Sequence, residues 1–269
     1  MKIVFLDAKS IGEDIDLSAY DALGEVIKYD FSTAEEAAVR SVDADVLVLN
    51  KVEVNEKTIG NASHLKLVCV TATGTNNLDK AYLEKRGIAW RNVAGYSTES
   101  VAQHTFALIL HHYSRVAEYD TAVRQGAWKQ AKTFCVMPYP MQELAGKTLA
   151  VVGYGSIGRK VAAIGAAFGM RPVIATRTQP ADCPYPLVTV DEAFRLADVL
   201  TLHVPLTEQT AGMVNARRLS AMKPTALLVN TARGGLIVET DLAQALRDGV
   251  IAGAALDVLT EEPMGDTPL

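Results

Sequence analysis

The sequence predicts two parallel α/β domains of the doubly wound type. Short runs of Val, Ile and Leu recur along the chain, each is followed by a longer stretch with helical spacing, and one different segment, residues 100–128, interrupts the rhythm. Parallel strands need a crossover, and a strand buried on both faces reads as a continuous apolar run, so the alternation is that of βα units. With 269 residues, 49% hydrophobic and 21% charged, the chain can form one large core or two of ordinary size.

In the first series, strands are expected at 2–6, 25–29, 45–50, 67–70 and 88–92, with helices over 33–42 and 78–86. In the second, strands are expected at 148–152, 172–176, 199–203, 226–230 and 252–257, with helices over 157–168, 190–196, 215–222 and 240–248. Between the two, Val101, Thr105, Leu108 and His112 recur at helical spacing, and Ser100 with Gln103 has the spacing of a capping box that would start a helix at about Val101. A long helix there connects two domains, 1–98 and 99–269, with the boundary near Thr98; a single sheet with a long insertion is the other reading.

Composition narrows the function class. Lys+Arg 26 against Asp+Glu 31 gives a net charge of −5, and no basic stripe runs along any segment, so nucleic acid is not an expected partner. Three cysteines, Cys69, Cys135 and Cys183, suit free thiols in a reducing compartment. The apolar start at Met1 meets a charge too early for a signal peptide, and no apolar run is long enough to span a bilayer. The expectation is a soluble cytoplasmic protein without membrane partners.

The run Leu149-Ala150-Val151-Val152 leads directly into Gly153-Tyr154-Gly155-Ser156-Ile157-Gly158 and then an amphipathic stretch. This is G-x-G-x-x-G in a strand–turn–helix setting. Gly153 permits the tight turn, Gly155 lets backbone approach a pyrophosphate, and Gly158 lets helix and strand pack closely. The amides of Ser156 and Ile157 at the helix N-terminus would face phosphates. A tight structural turn is the alternative reading.

The next strand of such a unit normally ends in a carboxylate that binds the adenosine ribose. Here the place reads Ala175-Thr176-Arg177-Thr178. Arg177, flanked by the hydroxyls of Thr176 and Thr178, suits a 2′-phosphate through charge-assisted hydrogen bonds, so NADPH is expected, alone or alongside NADH. Stacking of Arg177 on adenine is the alternative.

Three further segments, 202–207, 229–235 and 256–263, fall in an order and spacing that resemble the D-isomer-specific 2-hydroxyacid dehydrogenases over nearly the whole chain. Residues 92–104 look like the glycerate dehydrogenase (hydroxypyruvate reductase) branch. The resemblance implies a flavodoxin-like substrate domain followed by a Rossmann NAD(P) domain, with a small 2-oxo acid bound in the cleft between them and reduced at C2.

It also implies roles. Arg233 matches the arginine that clamps the substrate carboxylate and polarises its carbonyl; read alone, an arginine after a buried strand at the carboxyl edge of the sheet lies where a ligand crevice is expected, and a surface ion pair is the other reading. Glu262 matches the glutamate that raises the pKa of the catalytic histidine, although only its register against Leu256-Asp257 selects it over Glu261. Asp257 matches the aspartate near the nicotinamide carboxamide. His203, Val204, Pro205, Thr210, Thr231 and Ala232 fall at cofactor-side positions. In the first domain Thr73 and Gly74 lie in a turn similar to the one whose amides bind the substrate carboxylate, and Lys51 is either a substrate contact or an exposed lysine. No metal site is expected.

The pattern also breaks. The family's acid/base histidine follows Glu-Pro in a Pro-His pair, but the sequence ends at Leu269, and the first domain lacks the family's C-terminal return. None of His64, His104, His111, His112 and His203 falls at the missing position. Because residues 266–269 resemble mid-chain text of the family, a continuation carrying the histidine is expected; a chain ending at Leu269 would lose roughly 10²–10⁴-fold in rate.

The function expected is therefore reduction of hydroxypyruvate or glyoxylate to the D-2-hydroxy acid. D-lactate or phosphoglycerate dehydrogenase activity and an NAD(H)-sensing, corepressor-like binding role are the alternatives. The connector with Trp128 beyond it fits a homodimer interface, and intramolecular packing explains the same pattern.

Overall fold

The computed structural model describes residues 1–12 and 14–269. The chain divides into two compact units, Met1–Ser97 and Thr98–Leu269.

In the first unit, β1 (Lys2–Phe5), β2 (Glu25–Lys28), β3 (Val46–Leu49), β4 (Leu67–Val70) and β5 (Ala89–Asn92) form a parallel sheet in the order β2-β1-β3-β4-β5. Its helices are α1 (Ala34–Arg40), α2 (Glu56–Ile59) and α3 (Lys80–Lys85). Thr33 starts α1 with a complete capping box, its hydroxyl accepting the Glu36 amide while Glu36 accepts the Thr33 amide.

The second unit opens with α4 (Thr98–Ser114) and α5 (Val116–Arg124). Its sheet consists of β6 (Thr148–Val152), β7 (Arg171–Ala175), β8 (Val199–Leu202), β9 (Leu227–Asn230) and β10 (Gly253–Leu256), ordered β10-β9-β8-β6-β7 and parallel throughout. The helices α6 (Ser156–Ala167), α7 (Val190–Leu196), α8 (Ala216–Leu219) and α9 (Glu239–Arg247) connect the strands.

Strand geometry explains why each run is apolar at every position. Successive side chains point to opposite faces. Ala150, Val152, Leu200, Leu202 and Leu228 enter the core on one face of the second sheet, while Leu149, Val151, Val199, Leu227 and Val229 enter the core on the other. In the first sheet Val4, Leu47 and Leu49 face one way and Ile3, Phe5 and Val48 the other.

Every predicted strand is present, within about two residues of its expected ends. The connector differs from expectation in two ways. It begins at Thr98, just after a left-handed turn at Gly95 (φ 79°), so Ser100 lies inside the helix, where the capping-box spacing has no helix end to close. It also breaks at Arg115, whose backbone is left-handed at φ 51° and ψ 38°. Nε of Arg115 lies 3.2 Å from Glu118 Oε1, and its guanidinium sits over the Tyr139 ring. Apolar spacing continues on both sides of this single-residue break, so periodicity alone reads straight through it. The four-residue α2 is too short to leave a periodic signal.

All three cysteines are free. Among the described residues, no helix is long and apolar enough to cross a membrane, and no cluster of His, Cys, Asp and Glu could hold a metal ion.

Candidate active site

In an open parallel sheet, ligands bind outside the carboxyl ends of the strands where the strand order reverses. The second sheet reverses between β6 and β8, whose ends lead into Gly153 and His203. A cavity of about 580 Å³ opens there, lined among others by Gly153, Tyr154, Gly155, Thr176, Arg177, Thr178, His203, Val204, Pro205 and Thr210.

The three glycines differ in what their missing side chains allow. At Gly153, φ is 99°, and a Cβ would overlap the His203 carbonyl that closes the β6–β8 crevice. At Gly158 a Cβ would overlap the Gly153 carbonyl, which faces the first turn of α6. At Gly155 the backbone is extended (φ −78°, ψ −166°) and a Cβ would meet no protein atom. Gly155 is therefore dispensable for packing. Its open side lines the cavity at the N-terminus of α6, which has no side-chain cap. Uncapped amides beside open space fit an anionic pyrophosphate.

Charge along the cavity is one-signed. Among the described residues, no Asp or Glu lines it. Arg218 also lines it, but its Nε donates to Asp191 Oδ1 at 2.8 Å and its Nη1 to the Met213 carbonyl at 2.8 Å. Arg159 is likewise committed, bidentate to Asp182 at 2.8 and 3.0 Å. The arginines hold both acids below the usual carboxylate range. Exposed Arg177 has no ion-pair partner among the described residues.

Burial pushes the His203 imidazole down to about 4, so it is neutral at pH 7. Its Nε2 lies 2.9 Å from Thr201 Oγ1. Thr210 Oγ1 accepts the Thr207 amide (2.8 Å) and donates to the Pro205 carbonyl (2.6 Å), so this hydroxyl closes the loop after β8.

Thr231, Ala232, Arg233 and Asp257 lie farther along the same sheet edge, past β9 and β10. Asn230 builds the turn that presents Arg233: its Oδ1 accepts the Ala232 amide (3.0 Å) and its Nδ2 donates to the Arg233 carbonyl (2.9 Å). The Arg233 side chain is exposed and joins no ion pair among the described residues. Beside it, Gly234 is mandatory, because a Cβ would overlap the Leu259 carbonyl of the following loop. That loop carries Glu262, whose Oε1 accepts the Leu259 amide at 3.3 Å. Glu239 anchors it from α9, accepting the Thr260 amide at 2.7 Å and the Thr267 hydroxyl at 3.1 Å.

Two pairings were not visible in the sequence. His104 Nε2 on α4 reaches Asp257 Oδ1 at 3.2 Å. The buried Thr105 and Thr231 hydroxyls meet at 3.1 Å. Each joins residues more than a hundred positions apart, and no local pattern marks them. In the first unit Lys51 is exposed after β3, and the Thr73 hydroxyl donates to the Val93 carbonyl at 3.1 Å in the turn that also holds Gly74.

Residues 106–269 match the family model for the NAD binding domain of D-isomer specific 2-hydroxyacid dehydrogenases. The chain belongs to this family. The dehydrogenase is 39% identical over 266 residues to the glycerate dehydrogenase of Methylorubrum extorquens, covering 98% of this chain and 83% of that one. It is 38% identical over 280 residues to the hydroxypyruvate reductase of Blautia hydrogenotrophica, covering 100% and 86%. Among solved structures it resembles an acyclic imino acid reductase in complex with NADPH and D-Arg, with a TM-score of 0.88 at 28% identity, covering 98% of this chain and 85% of that one. The dehydrogenase is thus an enzyme acting on small hydroxy or oxo acids with a nicotinamide cofactor.

Proposed function

We propose that this dehydrogenase reduces hydroxypyruvate or glyoxylate to the D-2-hydroxy acid with NADPH in preference to NADH. Residues 1–98 serve the substrate and 99–269 the dinucleotide. The observation that carries the cofactor reading is Arg177: it is the uncommitted cation of a cavity without carboxylates, at the position where an acid would repel a 2′-phosphate. The similarity to a reductase described with NADPH supports it.

A bound dinucleotide would supply hydride chemistry at the substrate carbon. To hold it, Gly153, Gly155 and Gly158 shape the turn, the Ser156 and Ile157 amides would take the pyrophosphate, and Thr176, Arg177 and Thr178 would take the ribose phosphate. His203, Val204, Pro205 and Thr210 wall the cavity. Thr231, Ala232 and Asp257 serve the nicotinamide end, and His104 orients Asp257 through their 3.2 Å contact. Arg233 clamps the substrate carboxylate and stabilises the negative charge growing on the carbonyl oxygen. In the first unit, Lys51, Thr73 and Gly74 are the substrate-binding residues. Glu262 is the tuning carboxylate. The proton itself is assigned to none of the five histidines of the sequence.

We also propose a cytoplasmic homodimer. Trp128, Phe134 and Met137, 58%, 90% and 74% exposed, cluster in the segment after α5, where a second copy would cover them.

The deciding experiment is oxidation of NADPH by purified enzyme with hydroxypyruvate, glyoxylate, pyruvate and 3-phosphohydroxypyruvate. Turnover fastest with the first two, and reduced roughly 10²–10³-fold by Arg233→Gln, is expected. Tight dinucleotide binding without turnover of any 2-oxo acid would favour the sensing role.

A further inference from the structure

The first sheet has the same reversal as the second, here between β1 and β3. The group at that switch point is one of the chain's own carboxylates. Asp7, 4% exposed, follows β1. Its oxygens accept the amides of Asn50 (2.8 and 3.1 Å), Lys51 (2.6 Å) and Val52 (3.2 Å), just past β3. From the other side, Asn77 Nδ2 donates to the carbonyls of Asn50 (3.2 Å) and Val52 (2.9 Å).

A buried carboxylate is costly unless its lone pairs are met, and here three consecutive amides meet them. A loop needing only to turn would use local Gly, Asn or Ser chemistry. Instead, two distant side chains fix residues 50–52, and Asn77 comes from the very turn that carries Thr73 and Gly74. That turn is also tied to the end of β5, because Asn92 Nδ2 donates to the Thr73 carbonyl at 2.8 Å. Lys51 joins no ion pair among the described residues, so its ammonium group is uncommitted.

We propose that Asp7 and Asn77 are positioning residues for the substrate carboxylate: they lock the Lys51 backbone to the 72–79 turn, so that ammonium and turn present one preformed anion site. The inference rests on the proposed function, in which Lys51, Thr73 and Gly74 receive the oxo acid. Neither Asp7 nor Asn77 need touch the substrate. Preorganisation lowers the cost of ordering a loop around a small ligand.

The test measures hydroxypyruvate binding by titration calorimetry on the full chain saturated with NADP⁺, with NADP⁺ affinity as the control. Asp7→Asn and Asn77→Ala are each expected to weaken hydroxypyruvate binding about tenfold, as loss of hydrogen bonds around a charge does, and to leave NADP⁺ affinity within about twofold. In a Lys51→Ala background, neither substitution should weaken it further. If folded variants bind hydroxypyruvate as the parent does, or lose both ligands together, the positioning role is overturned. A parent that binds NADP⁺ but no oxo acid overturns the proposed function itself, a failure seen before any variant is made. Should Asp7→Asn not fold, Asn77→Ala at its half-buried site decides alone.

Discussion

Arg177 and His203 line one cavity and are controlled by opposite circumstances. Arg177 is exposed and joins no ion pair among the described residues, so its charge is available to a ligand. Arg177→Ala is expected to weaken NADPH binding about tenfold or more while moving NADH binding less than about twofold, since a charge-assisted bond contributes ~1.5–3 kcal/mol. Fluorescence titration of both dinucleotides reads this ratio. His203 is the reverse case, with burial holding the folded ring's pKa at about 4. The unfolded ring protonates near pH 6.5, so unfolding takes up a proton between those values. Stability is therefore full above about pH 6.5 and falls as pH drops towards 4. With allowance for the ring's partial solvent access, the loss is on the order of 1–2 kcal/mol. Denaturant melts of the parent and His203→Gln at pH 7 and pH 5 measure it, and the variant should lose less. The sequence marked both positions, Arg177 by the absence of an acid and His203 through the family resemblance. Neither the commitment of Arg218 to Asp191 nor the desolvation of His203 was legible, because each depends on side chains brought together by the fold.

At the level of elements, the β6–α6 turn separates folding from binding within six residues. Gly155→Ala adds a methyl to open space at an unstrained φ, so thermal stability should stay within about 1 kcal/mol of the parent while dinucleotide affinity collapses. Gly158→Ala drives a methyl into the Gly153 carbonyl, so it should destabilise by about 2 kcal/mol or more before any ligand is added. Melting curves with and without NADP⁺ distinguish the two. Equal stability losses in both variants would contradict this division. The glycine spacing alone predicted the turn. It could not predict that α4 stops at Arg115, because a left-handed arginine leaves no trace in the spacing of apolar residues.

For the whole molecule, the proposed homodimer would cover the exposed aromatic and methionine side chains after α5. Light scattering on the purified protein should give about twice the mass of a single chain. Phe134→Asp with Trp128→Ser should shift it to a monomer, because each removes apolar surface that one copy leaves in water. A parent that is monomeric at micromolar concentration would show that these side chains serve another purpose.

By itself the sequence determined the α/β class, the strands, the glycine turn and the family, because each is written in local order: two-faced burial makes apolar runs, a tight turn needs glycine at set spacing, and family segments keep their register. Only the tertiary structure decided which of the arginines along the cavity stays free, which acids anchor the Glu262 loop, and that Asp7 meets residues 50–52 while His104 meets Asp257. These are contacts between positions far apart in the chain. They arise from the parallel sheets, which bring the ends of every strand to one edge, and no spacing within a single segment encodes which side chains meet there.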